Sequence, residues 1–170
     1  MRRARAVAPR RRGLAPVVAP DARVLILGSF PSEASLAARQ YYAHPRNHFW
    51  PILGEVLGEP LAEIPYPDRL SRIRARRVAI WDTIVACERA GSLDAAIRNA
   101  EQGEIVRIRR IARELRAVCF NGNTAGRARS AWAAAGYVTL VLPSTSPAYT
   151  RPVKEKLAAW RALREFLEER

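Results

Sequence analysis

The chain has 170 residues, enough for one domain with a sizeable core. Its 29 Lys and Arg residues against 16 Asp and Glu residues give a formal net charge of +13, which favours a polyanionic partner such as nucleic acid. The sequence has no apolar run of membrane-spanning length and no apolar stretch behind its basic N-terminus to make a secretory signal, so we expect a cytoplasmic protein with no membrane partner.

Residues 1–20 contain six arginines and three prolines but no acidic residue. Such a composition does not bury a core, so we predict a disordered basic arm at 1–20 and a single domain at 21–170. The arm either contacts phosphates or is an unstructured tail, and the sequence favours neither.

Short apolar runs followed by small or polar residues are typical of buried parallel strands. These runs lie at 24–27, 78–81, 117–120 and 139–142. Apolar residues at helical spacing predict helices at 47–57, 105–115, 124–135 and 153–169. Alternating strands and helices predict an α/β sandwich with a mostly parallel sheet.

In such a sheet, the carboxyl ends of all strands face one crevice, where polar side chains then meet. The strand ends contribute Ser29, Pro31, Ser32, Asp82, Thr83, Asn121, Asn123, Ser144, Thr145 and Ser146, and the loop after the first strand adds Tyr41, Tyr42, His44, Asn47 and His48. Aromatic rings and amides suit a flat heterocycle, so with the basic charge they predict an enzyme that takes one base out of a nucleic acid. No zinc-type Cys/His cluster and no phosphate-binding Gly-rich loop followed by Lys is present, so we expect neither metal nor cofactor.

Three segments carry a family resemblance. They are GSFPSEASLAARQYYAHPRNHFW at 28–50, WDTIVACERAGSLDAAIRN at 81–99 and LPSTSPA at 142–148. They resemble the uracil-DNA glycosylase superfamily, closest to its hypoxanthine-DNA glycosylase branch, with the mismatch-specific uracil glycosylases next. The resemblance covers roughly residues 22–168. It implies a three-layer α/β/α sandwich around a four-stranded parallel sheet, and hydrolysis of the N-glycosidic bond of a deaminated base without metal or cofactor.

The resemblance also implies roles for single residues. Asn47, in the HPRN stretch, matches the catalytic amide of the hypoxanthine branch, and Ser29 stands where other branches have an Asp or Asn that directs the attacking water. Tyr42 matches the aromatic residue that stacks on the flipped base. Asp82 replaces an Asn that reads the base in relatives, and Asn121 is expected to shape the pocket and contact the base.

The LPSTSPA stretch matches the loop that enters the minor groove and presses on the DNA backbone. Its candidate DNA contacts are Pro143, Ser144, Thr145, Ser146, Pro147, Tyr149 and Arg151. Leu142 replaces the His of ordinary uracil glycosylases, so this position offers no histidine to the leaving base. Tyr149 replaces an Asn, either as an alternative wedge or with an effect on base preference. Phe30 is a further candidate base contact, and His44 and His48 are secondary candidates.

Several of these residues have structural alternatives. Asn47 is also well placed to cap the helix that follows it, and Asp82 to cap a helix together with Thr83. Neighbouring residues in extended backbone alternate in direction, so one of Tyr41 and Tyr42 belongs to the core, and we favour Tyr42 for the site. The tryptophans and both cysteines, Cys87 and Cys119, are expected in the core.

The sequence therefore predicts a monomeric DNA glycosylase for deaminated bases, with hypoxanthine first and uracil second, acting on double-stranded or single-stranded DNA of the nucleoid. A mismatch-specific uracil-DNA glycosylase is the alternative within the superfamily. A non-catalytic protein that binds damaged DNA, or a hydrolase of free nucleosides, would use a similar pocket.

Overall fold

The computed structural model of the chain describes residues 8–168. Its strands are β1 (Arg10–Arg12), β2 (Val24–Gly28), β3 (Val78–Asp82), β4 (Ile84–Glu88), β5 (Arg98–Gln102), β6 (Ala117–Asn121) and β7 (Val138–Leu142). Its helices are α1 (Glu33–Ala38), α2 (Phe49–Leu57), α3 (Tyr66–Ala75), α4 (Ile105–Ile111), α5 (Asn123–Gly126), α6 (Arg129–Ala134) and α7 (Val153–Trp160), with 3-10 turns at Leu61–Glu63, Asp94–Ala96 and Arg161–Phe166. In this part of the chain no helix is long and apolar enough to cross a membrane.

The central sheet has four strands in the order β3-β2-β6-β7, and each neighbouring pair is parallel. All four predicted strands are confirmed. Every residue of β2 and β3 is buried, so their unbroken apolar runs reflect burial on both faces of the sheet. The chain passes from β2 outward to β3, then returns to β6 on the other side of β2. The loops after β2 and β6 therefore meet at the centre of the carboxyl edge, where ligands bind in open parallel sheets.

Side-chain alternation along β2 divides the core into two layers. Val24 and Ile26 belong to a cluster that includes residues of α2 and α7, whereas Leu25 and Leu27 belong to a second cluster with residues of α4 and α6. Successive strand residues point to opposite faces of a sheet, so each face requires its own cover of helices. This arrangement confirms the predicted three-layer α/β/α sandwich.

A second, antiparallel sheet, in the order β1-β4-β5, was not predicted. Its strand β4 follows β3 after the single residue Thr83, and its edge strand β5 is exposed throughout. A strand that is exposed on both faces pairs through its backbone hydrogen bonds and needs no apolar face. The polar sequence of β5 therefore lacks the alternation of apolar and polar residues that would predict a strand.

The prediction of a disordered arm at 1–20 is wrong for the part that the structure describes. Arg10–Arg12 pair with β4, and Val17, only 7% exposed, forms a bridge with Ile80 at the edge of the central sheet. Strand pairing uses the backbone, so an arginine-rich composition does not prevent it. Residues 1–7 lie outside the described residues.

The predicted helices are present with altered bounds. The helix expected at 105–115 ends at Ile111, the one at 124–135 is divided into α5 and α6, and the one at 153–169 continues from α7 as a 3-10 turn. Helices α1 and α3 were not predicted. Trp50, Trp81, Trp132 and Trp160 are all buried, as are the free cysteines Cys87 and Cys119, which confirms their expected core positions.

Candidate active site

A cavity of about 330 Å³ lies at the carboxyl edge of the central sheet. Five predicted site residues from separate segments line it together, namely Ser29, Tyr42, Asn47, Asp82 and Ser144. Five further predicted contacts, Phe30, Asn121, Thr145, Ser146 and Tyr149, also line it. His44, His48, Pro143, Pro147 and Arg151 do not line this cavity. Residues at the strand ends and in the loop after β2 thus meet at one site, while the chemical role of each residue stays a prediction.

The floor of the cavity is built around Gly28. This residue ends β2 and lies opposite Asp82 in the register of β2 and β3. A Cβ atom on residue 28 would lie 2.5 Å from Asp82 Oδ1 and 3.0 Å from the hydroxyl oxygen of Tyr42. Only glycine leaves room for these two side chains to approach the strand at this point.

Asp82 is a buried carboxyl group on this floor. It is 5% exposed, and its Oδ2 atom has no hydrogen-bond partner among residues 8–168. Burial, and after it the charge of Asp94, raise the pKa of Asp82 to about 7, while Arg89 opposes the shift. The neutral and charged forms are therefore both populated near neutral pH. The possibility that Asp82 caps a helix is wrong, because β4 follows it.

Tyr42 lines the cavity with its ring stacked on Phe49, the ring centroids being 3.7 Å apart and the planes 15° from parallel. Phe49 covers one face of the ring, so only the other face is left to the cavity. The hydroxyl group is buried next to Asn121 and Asp82 without a regular hydrogen bond, and burial followed by the charge of Asp82 raises the pKa of Tyr42. Tyr42 is therefore a neutral phenol at neutral pH.

Tyr41 takes the structural position expected for one of the two tyrosines. Its side chain is buried, and its hydroxyl group donates to the carbonyl oxygen of Ala15 at 2.8 Å. Its own carbonyl oxygen accepts from Nε1 of Trp50 at 3.0 Å. These bonds tie the N-terminal segment and α2 to the loop that carries Tyr42.

Asn47 both caps α2 and lines the cavity. Its Oδ1 atom accepts a hydrogen bond from the backbone N–H of Phe49, the first residue of α2, at 2.9 Å. His48 occupies the N-cap position itself and makes no side-chain cap bond, so Asn47 takes up the predicted capping function from one residue earlier. Its Nδ2 group has no partner within residues 8–168. The hydrogen bond from Phe49 directs the Oδ1 atom of Asn47 toward the helix and leaves its Nδ2 group free to donate.

Ser29 interacts with an acidic residue that sequence reasoning did not select. Its hydroxyl group donates to Oδ1 of Asp94 at 2.7 Å. Asp94, together with Ser92 and Leu93, lines the cavity from the loop between β4 and β5. These residues belong to the second resemblance segment, but the unpredicted hairpin of β4 and β5 concealed that the chain returns to the cavity there.

The loop 143–147 is held from within by Asn121 and Thr145. The Nδ2 group of Asn121 donates to Oγ1 of Thr145, and Oδ1 of Asn121 accepts from the backbone N–H of Thr145, both at 2.9 Å. Thr145 is fully buried, and its carbonyl oxygen accepts from the backbone N–H of His48 at 3.0 Å. The side chain of Thr145 therefore supports the loop rather than projecting from it toward DNA, which corrects its predicted role as a DNA contact.

Helix α7 anchors the same loop. The ammonium group of the fully buried Lys156 donates to the carbonyl oxygen of Tyr149 at 2.7 Å, and Nε1 of Trp160 donates to that of Pro143 at 2.9 Å. The Tyr149 side chain remains 42% exposed at the rim of the cavity. Arg151 is exposed and forms an ion pair with Glu155 at 2.8 Å. Helix α7 thus supports the loop, while Tyr149 and Arg151 remain exposed to solvent.

The two histidines and the acidic residues do not form a metal site in the described part of the chain. Nδ1 of His44 accepts from the backbone N–H of Arg46 within its own turn, at 3.1 Å. Nδ1 of His48 is buried and has no hydrogen-bond partner among the described residues. No group of three His, Cys, Asp or Glu residues within 8–168 has the arrangement of metal ligands.

The family model of the uracil DNA glycosylase superfamily matches residues 15–167. The chain belongs to this superfamily. It is a DNA glycosylase, a hydrolase that acts on N-glycosyl bonds, with DNA as its substrate. The match begins within the segment that we expected to be disordered.

Two archaeal proteins and one solved structure are similar along nearly their whole length. The chain is 35% identical to a hypoxanthine DNA glycosylase of Methanosarcina barkeri, over 89% of this chain and 96% of that protein. It is 36% identical to a hypoxanthine DNA glycosylase of Methanosarcina acetivorans, over 90% and 97%. The solution NMR structure of a candidate uracil DNA glycosylase from M. acetivorans matches with a TM-score of 0.86 and 35% identity, covering 95% of this chain and all of that one.

Proposed function

We propose that this glycosylase removes hypoxanthine from DNA and accepts uracil as a second substrate. The observation that carries the proposal is the buried carboxyl group of Asp82, whose Oδ2 atom has no partner among the described residues. Both bases present a carbonyl oxygen beside a ring N–H. A neutral carboxyl group offers the matching donor and acceptor, whereas a carboxylate offers two acceptors. The names of the two Methanosarcina relatives support hypoxanthine as the first base to test.

Tyr42 supplies the stacking surface in this proposal. Tyr42 lines the cavity and Phe49 covers one face of its ring, so the other face is the one proposed to receive the base. A flipped base that lies on this ring gains roughly 1–3 kcal/mol, the usual value of a base–aromatic stack. The neutral phenol adds no charge that would repel the electron-rich leaving base.

Asn47 is the proposed catalytic amide, acting as a donor. Breaking the bond between C1′ and the base leaves positive charge on the sugar and negative charge on the base. The Nδ2 group of Asn47, oriented by the cap, is free to donate to the leaving base as that charge develops. One such donor in a site without water is worth roughly 3 kcal/mol. An uncharged amide does not abstract a proton, so Asn47 acts by donating a correctly oriented hydrogen bond.

Base flipping adds to the selectivity. Extruding a nucleotide costs a few kcal/mol, and this cost is smallest when the base is mispaired, as deaminated bases are.

We propose that Tyr149 and Arg151 contact the DNA around the flipped nucleotide, since both are exposed on the anchored loop. The monomer contains every group that this scheme uses.

The test is an abasic-site assay on oligonucleotides that carry inosine, deoxyuridine or deoxyxanthosine, each as single strands and as duplexes opposite each base. Cleavage of inosine ahead of uracil is expected. Cleavage of uracil alone, and only opposite guanine, would instead indicate a mismatch-specific uracil glycosylase.

Two further outcomes would indicate a protein of a different class. Binding that weakens with salt but yields no product would indicate a damaged-DNA-binding protein. Hydrolysis of free inosine or uridine at a comparable rate would indicate a nucleoside hydrolase. Undamaged oligonucleotides of the same sequence are the control for contaminating nucleases.

A further inference from the structure

The loop between β4 and β5 brings an acidic side chain to the cavity that the scheme above leaves unused. Asp94 lines the cavity and accepts the hydroxyl hydrogen of Ser29 at 2.7 Å. Ser29 directly follows the cavity-floor residue Gly28, so the pair lies at the end of the central strand β2. Asp94 thus brings an acidic side chain to the cavity beside Ser29 and the floor residue Gly28.

Two hydrogen bonds besides that of Ser29 hold this loop against the segment after β2, and a third stabilises the loop from within. Arg89, only 3% exposed, donates from Nη2 to the carbonyl oxygen of Pro31 at 2.5 Å and from Nε to that of Gly91 at 2.8 Å. The hydroxyl oxygen of Ser92 accepts from the backbone N–H of Glu33 at 2.9 Å, at the first turn of α1. The guanidinium group of Arg89 also lies over the ring of Phe30 at 5.0 Å. A loop fixed in this way positions Asp94 before any substrate binds.

The hydrogen bond between Ser29 and Asp94 leaves Ser29 with its acceptor side free. A serine hydroxyl has one hydrogen and two lone pairs, and here the hydrogen is directed to the carboxylate. A water molecule in the cavity can therefore donate to Ser29 Oγ, which turns a lone pair of the water toward the sugar. The carboxylate increases the acceptor strength of that oxygen, and its charge opposes the positive charge that develops on C1′.

We propose that Asp94 is a positioning residue that acts through Ser29 to orient the attacking water and to stabilise the positive charge on the sugar. In the reaction, the bond from C1′ to the base nitrogen breaks and its electron pair leaves with the base. The water oxygen bonds to C1′, the water proton passes to Ser29 Oγ, and the Ser29 proton passes to Asp94. Neutral Asp82 gives its proton to the departing base; Asp94 then releases the proton that it gained to solvent, and Asp82 takes one up from solvent, which restores both groups. This scheme rests on the proposed function.

Asp94→Asn tests the scheme with the smallest change, because an amide oxygen still accepts from Ser29 while the charge is removed. Single-turnover rates on an inosine duplex and the dissociation constant for DNA are measured separately. The rate is expected to fall roughly 100-fold, within the usual range for loss of a group that assists proton transfer. DNA affinity is expected to stay equal or rise, since a negative charge near the phosphates is gone. If Asp94 only held the loop in place, the asparagine variant would keep the wild-type rate. Any change would then appear in DNA affinity or in thermal stability.

A matched control and a double-mutant cycle complete the experiment. Glu104→Gln removes an equivalent exposed charge outside the cavity and should leave rate and affinity unchanged. Ser29→Ala and Asp94→Asn should each lower the rate, and the double variant should be no slower than the slower single variant, because both act through one water.

The outcomes separate two failures. A wild-type protein without activity on any deaminated base would overturn the proposed function and this scheme with it. An active wild type with an Asp94→Asn rate within twofold of it, or with fully additive losses in the cycle, would overturn the role of Asp94 alone. If Asp94→Asn lowers thermal stability, Asp94→Ala with the same two readouts decides between loss of charge and loss of the loop contact.

Discussion

Gly28 and Asp82 lie opposite each other across the two parallel strands β2 and β3, and a side chain on residue 28 would collide with the Asp82 carboxyl group at 2.5 Å. We therefore expect Gly28→Ala to displace Asp82 or to separate the strands. Overpacking of this kind costs about 1–3 kcal/mol, and the loss of the carboxyl position should abolish most of the activity. Urea unfolding and the inosine assay measure the two effects.

Gly13→Ala is the matched control for that substitution. A Cβ atom at residue 13 would meet its nearest neighbour, the ring of Phe30, at 3.4 Å, an ordinary van der Waals contact. We expect this variant to keep its stability within about 1 kcal/mol. If Gly28→Ala behaves like Gly13→Ala, the cavity floor tolerates a methyl group and its geometry does not restrict residue 28.

Asn47 permits the separation of capping from catalysis. Asn47→Asp keeps an oxygen for the N–H of Phe49 but loses the free amide donor, whereas Asn47→Ala loses both. We expect Asn47→Ala to lower stability by about 1 kcal/mol and Asn47→Asp to leave it unchanged. Both should lower the glycosylase rate by about 100-fold, the loss expected for roughly 3 kcal/mol. An active Asn47→Asp variant would show that the amide hydrogens are not used.

Asp82 should make stability depend on pH in an unusual direction. Its folded-state pKa of about 7 exceeds the unfolded value of 3.8, so the folded protein binds the extra proton between these values. Stability from this group is therefore present below pH 4 and is lost as pH rises to 7, by up to about 4 kcal/mol. The difference in unfolding free energy between the wild type and Asp82→Asn, measured from pH 4 to 8, isolates it. A difference that does not change with pH would contradict the raised pKa.

The activity should follow the same titration. If the neutral carboxyl group reads the base, the single-turnover rate on inosine falls as pH rises through about 7, and Asp82→Asn loses this fall. The groups that act on Asp82 electrostatically are Asp94, which favours its neutral form, and Arg89, which favours its charged form. Asp94→Asn is therefore expected to shift the fall toward lower pH.

Tyr42 allows the ring to be tested apart from its hydroxyl group. Tyr42→Phe keeps the stack on Phe49 and removes a buried hydroxyl group that has no regular hydrogen bond, so stability should stay equal or rise. Tyr42→Ala should lower the rate by the equivalent of roughly 1–3 kcal/mol. Equal rates for Tyr42→Ala and Tyr42→Phe would assign the stacking role to another residue.

The central sheet and most of the site could be predicted from the sequence because burial leaves a strong signal there. The runs 24–27 and 78–81 are apolar without interruption, and parallel topology then places Ser29 and Asp82 at one edge. The hairpin of β4 and β5 could not be predicted, since β5 is exposed and held by backbone pairing. Because the hairpin was not predicted, the sequence did not indicate that Asp94 lies at the cavity. The capping bond of Asn47 could be predicted from residue type and position, but only the structure shows which end of its amide is free.

The anchoring of the loop 143–147 by Lys156 has a consequence for how DNA is bound. The loop carbonyls are already ordered by an internal ammonium group, so their conformational entropy is lost during folding and does not reduce the affinity for DNA. The same burial keeps this cation away from phosphates. Lys156 therefore releases no counterion when DNA binds, and the salt dependence of binding should reflect fewer charges than the basic composition implies.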